Sequence, residues 1–281
     1  MKDNLKNLRK KANTVRKLIV QMIAEAESGH PGGSLSSTEI ISCLYFHVMR
    51  HNPQDPSWSE RDRFHLSKGH CCPALYAALS VSGYFDKKEL GTLRKYGSML
   101  QGHPDKRTPG IEVASGSLGQ GLSVASGMAL AGKIDKKDYR VYCLMGDGEI
   151  QEGNIWEGAM SAAHFRLDNL CGIVDYNRFQ IDGRVEEVMN LEPLLNKWES
   201  FGWHAIQCDG HNIEELLEAF TEAKTVKQKP TVIIAHTVKG KGVSFMEHVV
   251  DFHGRAPTGK EREIALRELE DIEQLEEQKD V

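Results

Sequence analysis

Two short apolar runs end in oxygen-bearing side chains. The first, 139–145, runs into Gly146-Asp147-Gly148; the second, 170–176, runs into Asn177, thirty positions after the aspartate. A carboxylate, an amide oxygen, a nearby backbone carbonyl and two phosphate oxygens together suit Mg²⁺ or Ca²⁺, hard cations that take oxygen ligands and share them with a diphosphate. The flanking glycines, which have no Cβ, let the backbone come within hydrogen-bonding range of that diphosphate. A Gly-Asp-Gly alone is a simple turn. The asparagine at this spacing turns it into a site, provided both residues reach the same edge of one sheet.

The intervening sequence supplies that provision. A small-residue helix, 154–164, lies between the two runs, and strand, helix, strand at this length is a parallel βαβ unit with a right-handed crossover. Its strand ends share the edge at which open α/β sheets bind ligands. A third run, 231–236, also reads as a buried strand. Upstream, Leu5, Leu8, Ala12, Val15, Ile19, Met22 and Ile23 recur at helical spacing, so the first 27 residues form an amphipathic helix. It stops at a Gly/Pro cluster, 28–33, which reads as a tight loop. Further helices are expected at 38–50, 73–83 and 86–97. The segment 115–121 is a glycine-rich loop opening a helix to Lys133, which suits close packing or negative charge at the helix start. A Glu-rich helical tail occupies about 260–281, as a solvated or subunit-covering helix. The pattern is α/β, a three-layer sandwich around a central, mostly parallel sheet, and 1–281 reads as a single domain with no interior boundary.

Composition narrows the class. The chain has 281 residues, 40% hydrophobic and 27% charged, which excludes a disordered or fibrous protein. With 35 Lys+Arg against 40 Asp+Glu, a net charge of -5 and no basic cluster, nucleic acid is not the expected partner. No apolar run approaches a membrane span and the charged start lacks a secretory core, so the expectation is a cytoplasmic protein with no membrane partner. Cys43, Cys71, Cys72, Cys143, Cys171 and Cys208 contain no C-x-x-C and are expected as free thiols.

The motifs G-D-G-E-I-Q-E-G (146–153) and Y-N-R-F-Q-I-D-G (176–183) resemble the thiamine diphosphate motif in its transketolase form. S-G-H-P-G (28–32), S-K-G-H (67–70), G-H-P (102–104), S-G-S-L-G-Q-G (115–121) and F-H-G (252–254) fall in transketolase order and spacing, so the resemblance covers essentially the whole chain. The histidine set separates it from pyruvate decarboxylase-like relatives, and Pro31 from deoxyxylulose-phosphate synthase. The resemblance implies the diphosphate domain of the thiamine diphosphate-binding fold. It implies that Asp147, Asn177 and the carbonyl of Phe179 bind the metal, Mg²⁺ or Ca²⁺, and that Gly148, His70, Gly116, Ser117, Leu118 and His253 line the diphosphate and thiazolium. Phe179 departs from the usual aliphatic residue, a change that a main-chain ligand tolerates. Glu152 is implied at a subunit contact connecting two active sites, and Asp175 in the cofactor's surroundings; a locally satisfied carboxylate is the alternative for each.

Ketol transfer, the activity so implied, moves protons between hydroxyl and carbonyl oxygens, which calls for groups titrating near neutrality. His30, His70, His103 and His253 are the four histidines in family motifs. The others, including His47, His51 and His164, are expected to be surface or structural, with His65 and His236 near a motif or a strand end. Lys239-Gly240-Lys241-Gly242 is a mobile basic turn that can meet phosphate or remain a solvated loop.

A whole transketolase continues with a pyrimidine-binding and a carboxyl-terminal domain. The resemblance therefore implies the N-terminal subunit of a split transketolase, completed by a C-terminal transketolase subunit carrying the pyrimidine-binding domain, in an α₂β₂ heterotetramer that works on sugar phosphates. The start at Met1 and the helical tail favour a natural split over a truncated chain. The alternative is a non-catalytic thiamine diphosphate-binding regulatory subunit.

Overall fold

The computed structural model describes residues 2–279, with side chains from 3 to 275. Its centre is a five-stranded sheet, parallel throughout, in the order β1-β2-β3-β7-β6. The strands are β1 (Arg63–Leu66), β2 (Val141–Gly146), β3 (Leu170–Tyr176), β6 (His204–Asp209) and β7 (Thr231–His236); β4 (Phe179–Gln180) and β5 (Gly183–Arg184) form a separate antiparallel pair. The expected β2–β3 neighbourhood holds, with Gly146 opposite Asp175.

Side-chain alternation along the strands creates two cores. Tyr142 and Leu144 of β2 face one helical layer, whereas Val141, Cys143 and Met145 face the other. On the first side lie α1 (Lys2–Ala26), α2 (Pro31–Ser36), α3 (Thr38–Cys43), α4 (Cys72–Ser82), α9 (Ile213–Thr225) and α10 (Gly259–Lys279). On the second lie α5 (Gly121–Ile134), α6 (Gly153–His164) and α8 (Leu194–Ser200); the short α7 (Val185–Val188) follows β5. A sheet clothed on both faces explains why the strands read as continuous apolar runs.

Three expectations need correction. The tight loop at 28–33 is only half loop: Pro31 starts α2, because proline is tolerated at the first helical position where its missing N–H has no partner to lose. Residues 86–97 hold only a short 3₁₀ helix, Lys87–Thr92. Arg94 and Gly97 then adopt positive φ, +61° and +79°, which the regular helix cannot accommodate. The 38–50 helix widens at Leu44–Val48 into a π-helical turn. The tail is also less solvated than its charge suggests. Ala265 and Leu269 are fully buried, Asn13 of α1 donates to the Leu269 carbonyl at 2.7 Å, and Lys17 pairs with Glu273 at 2.6 Å.

The sequence pattern does not announce β1, β6, α8 or α9. β1 is four residues long and half-polar in sequence, and β6 alternates weakly, so neither shows the long apolar run that marks the other strands. All five strands point the same way, and the segments leaving their carboxyl ends converge on one edge.

Candidate active site

Four of those carboxyl ends carry the chemistry. β1 is followed by Ser67-Lys68-Gly69-His70, β2 by Asp147, β3 by Asn177, and β7 by Thr237 and Lys239. With α2 and the glycine-rich loop they enclose a cleft of about 370 Å³.

One end of the cleft is an oxygen cluster. Asp147 is 2% exposed; its Oδ1 accepts the Gly148 N–H at 2.8 Å and its Oδ2 accepts the Arg178 N–H, which ties the β2 turn to the β3 turn. Asn177 is buried and accepts the Phe179 N–H at 3.1 Å on Oδ1. The Phe179 carbonyl accepts from Lys239 Nζ at 3.1 Å. Burial first, and the Asp175 carboxylate second, push the Asp147 carboxyl up to about 7. A buried acid held in that state fits a cation, which would stabilise the charge that burial opposes. Among the described residues there is no cluster of three or more His, Cys, Asp or Glu placed for a metal. The Asp147, Asn177 and Phe179 set contains one carboxylate and two neutral oxygens, which is the donor chemistry of Mg²⁺ or Ca²⁺ shared with phosphate.

The other end is a histidine cluster. Ring centroids lie 5.1 Å apart for His30 and His70, 5.7 Å for His30 and His253, and 5.3 Å for His70 and His253. Burial is the first cause of depression in all three. It lowers His30 to about 4 with help from Arg94, and His253 to about 3 with help from Lys239, and it takes His70 well below its usual value. Lys239 Nζ, at 2.8 Å from His253 Nδ1, donates to it, which leaves the proton of the neutral ring on Nε2. The buried His30 Nδ1 has no partner within the described chain.

The remaining expected residues divide. Gly148, Gly116, Leu118 and Glu152 line the cleft with the two clusters. His103 and Ser117 are exposed and stand outside its lining; His103 lies against Gly116, whose φ of +150° strains any other residue and where an added Cβ would stand 3.2 Å from the imidazole. Glu152 is exposed at the start of α6 and its side chain does not cap that helix. Asp175 sits behind the cleft, fully buried. Its carboxylate receives Ser36 Oγ at 2.6 Å, Ser37 Oγ at 3.3 Å, Asn177 Nδ2 at 3.2 Å, Thr237 Oγ1 and Lys68 Nζ. It therefore reaches the cleft only through Asn177 and Lys68.

Lys68 and Glu149 are not singled out as site residues by the sequence, and Lys239 only as part of a basic turn that can meet phosphate. Lys68 is 2% exposed and also donates to the Gly33 carbonyl at 3.2 Å and Ser37 Oγ at 3.1 Å; burial opposes its charge, but Asp175 wins and pushes its pKa up. Lys239, expected in a mobile turn, is equally buried, and burial lowers it to about 8 against the pull of Asp147. The one local signal is the lysine inside S-K-G-H (67–70), a charged residue next to a motif histidine and two small residues.

Fold and cleft together define an α/β domain whose cleft carries an oxygen cluster at one end and histidines at the other. Residues 8–272 match the family described as transketolase, thiamine diphosphate binding domain. The chain belongs to that family. It is 48% identical over 265 residues to the 6-deoxy-6-sulfo-D-fructose transketolase subunit SqwG of Clostridium sp., covering 94% of this chain and 96% of that one. It is 47% identical over 262 residues to an apulose-4-phosphate transketolase subunit of Phocaeicola vulgatus, covering 93% of each chain. Among solved structures, transketolase from Campylobacter jejuni superposes with a TM-score of 0.84 at 33% identity, over 97% of this chain and 48% of that chain. The chain thus spans about half the length of that transketolase.

Proposed function

We propose that the chain is the amino-terminal subunit of a split transketolase, which moves a two-carbon ketol unit from a ketose phosphate to an aldose phosphate once a second polypeptide supplies the pyrimidine-binding domain. One observation carries this reading: a single cleft has the Asp147, Asn177 and Phe179 oxygens at one end and the His30, His70 and His253 rings at the other.

In this reading Asp147, Asn177 Oδ1 and the Phe179 carbonyl hold Mg²⁺, with Ca²⁺ as the other fitting ion. Gly148, Gly116, Leu118, His70 and His253 surround thiamine diphosphate, with Ser117 exposed on the neighbouring loop outside the cleft. Lys239 and Lys68 add positive charge beneath its phosphates. When bound, the cofactor supplies the electron sink for carbon–carbon cleavage and formation. The chain's own residues hold and move protons. The neutral His253 donates from Nε2 toward a substrate oxygen, because Lys239 occupies its Nδ1. His30 and His103 meet the donor sugar's hydroxyls, and His70 faces the cofactor ring. Desolvation keeps these imidazoles neutral at pH 7, so His30, His70 and His103 each retain a ring nitrogen that can accept a proton and return it, while His253 acts as a donor.

The partner is a C-terminal transketolase polypeptide, and an α₂β₂ heterotetramer follows from the family's habit of building each site from two protomers. Glu152, exposed at the cleft margin, is then a contact between protomers. The setting in this reading is the cytoplasm; among the described residues no helix is long and apolar enough to cross a membrane. The test is ketol transfer from xylulose 5-phosphate to ribose 5-phosphate, with thiamine diphosphate and Mg²⁺, by this chain alone and with the candidate partner. Activity only in the mixture is expected; strong activity of the chain alone overturns the split.

A further inference from the structure

Three cofactor-facing loops meet at one carboxylate that lies outside the metal set. Glu149, on the 3₁₀ turn Glu149–Gln151 after β2, is 3% exposed. Its Oε1 accepts the Ser67 hydroxyl and, at 3.1 Å, the Gly119 N–H; its Oε2 accepts the Gly146 N–H at 3.0 Å. Ser67 opens the segment that carries Lys68 and His70. Gly119 lies in the glycine-rich loop just past Gly116, Ser117 and Leu118, and Gly146 immediately precedes Asp147. The loops are also in steric contact. A Cβ on Gly69 would stand 2.6 Å from Ser115 Oγ, and one on Gly121 only 2.1 Å from Ser67 Oγ.

We propose that Glu149 is a positioning residue that clamps the loops after β1, before α5 and after β2 into one preformed cradle for the cofactor. The inference rests on reading the cleft as a thiamine diphosphate site and adds to it a cleft-lining group that lies outside the proposed metal set. All three partners are donors, so only an acceptor with two free oxygens satisfies them together. A carboxylate does this. The amide of a glutamine turns an NH₂ toward at least one of these donors, and an aspartate lacks the reach to span them. Hydrogen bonds to the charge, which are stronger than neutral ones, offset part of the cost of burying it, and burial still raises its pKa. Without the clamp, the glycine-rich loop keeps its sequence but loses its anchor, and the cofactor must order it on binding.

The test is hydrogen exchange by mass spectrometry on the wild-type chain, Glu149→Ala, Glu149→Gln and Ser67→Ala, with calorimetric titration of thiamine diphosphate and Mg²⁺ into each. Glu149→Ala is expected to speed exchange of peptides covering 67–71 and 115–121 while α1 and β3 stay protected as in the wild type. Cofactor affinity is expected to fall about 10- to 100-fold, the usual range for groups that orient ligands from behind. Glu149→Gln should show a smaller effect in the same peptides. In the assembled enzyme the loss should fall on the cofactor KM, with kcat recovered at saturation. Ser67→Ala removes one donor without stranding a charge, and answers the question if Glu149→Ala does not fold: it should loosen the same two loops. Wild-type exchange in those loops, or faster exchange spread evenly over the chain, overturns the clamp. If the wild-type chain binds no thiamine diphosphate even when mixed with its partner subunit, the cofactor reading fails, and the exchange pattern still decides the clamp.

Discussion

Lys68 and Asp175 form an ion pair directly behind the cleft, with side chains 2% and 0% exposed, and neither has water to fall back on. Their elements are far apart in sequence: Lys68 follows β1, and Asp175 lies near the end of β3, two strands away across β2. The pair pins the floor of the site because Asp175 also collects hydroxyls from α2, from Ser37 and from the segment after β7.

Removing one partner should therefore cost more than a surface ion pair. Lys68→Met is expected to destabilise the chain by about 3–5 kcal/mol, since it leaves a buried carboxylate without its cation. Urea unfolding of Lys68→Met, Asp175→Asn and the double variant checks this. The double should lose clearly less than the sum of the singles, and a strictly additive result would show that the two groups do not depend on each other.

Asp147 makes the opposite prediction for the metal-free chain. Its carboxyl titrates at about 7 in the fold, far above the ordinary aspartate value. The folded state thus holds this proton more tightly than the unfolded state, and the group's contribution is most favourable at low pH and is lost as pH rises through about 7. Asp147→Asn should raise metal-free stability at pH 8 and change little at pH 4, as read by denaturant midpoints. The same variant should abolish metal-dependent retention of thiamine diphosphate. Unchanged cofactor binding would remove Asp147 from the metal set. In the wild type, Mg²⁺ affinity should weaken as pH falls below about 7, because metal and proton compete for one carboxylate.

The neutral histidines act the other way. His30 and His65 are lowered to about 4 and His253 to about 3, in each case first by burial. Their contribution is complete above the unfolded value near 6.5 and is lost as pH falls from there toward 4. Acid unfolding should therefore begin below about 6.5, with proton uptake on unfolding. His65→Gln, which removes the one of these histidines that lines no part of the cleft, should flatten that slope. A slope identical to that of the wild type would exclude His65 as a contributor.

Gly121→Ala tests the tightness of the cradle. The added methyl would sit 2.1 Å from Ser67 Oγ and 2.4 Å from its Cβ, so the start of α5 has to move. A loss of about 1–3 kcal/mol, typical of overpacking, is expected in thermal or urea unfolding, together with weaker cofactor binding. Gly127→Ala on the same helix, where nothing lies within 4 Å, is the control and should be neutral or stabilising.

Phe179→Leu should leave Mg²⁺ affinity unchanged, since in the proposed metal set Phe179 serves through its main-chain oxygen while its side chain is buried at 9% exposure. A large drop in affinity, measured by calorimetry with thiamine diphosphate present, would mean that the ring itself shapes the metal position.

The local sequence is enough for the elements that announce themselves over short distances. The runs at 170–176 and 231–236 are β3 and β7, the periodic start is α1, and Asp147 and Asn177 reach one edge because strand, helix, strand leaves a parallel pair few alternatives. Strand β1 is not legible, since four residues with an arginine and a histidine carry no period. The residues it delivers, Ser67 to His70, can be placed only by motif. Tertiary structure alone decides which charges are buried. Lys68, Lys239 and Glu149 look like surface residues in a sequence that is 27% charged. Their role depends on partners 107, 60 and 82 positions away. Spacing along the chain fixes which groups can share a strand end; whether a charge there meets water, a counter-ion or three donor groups is set by how separate strands and loops close over it, and no local pattern encodes that closure.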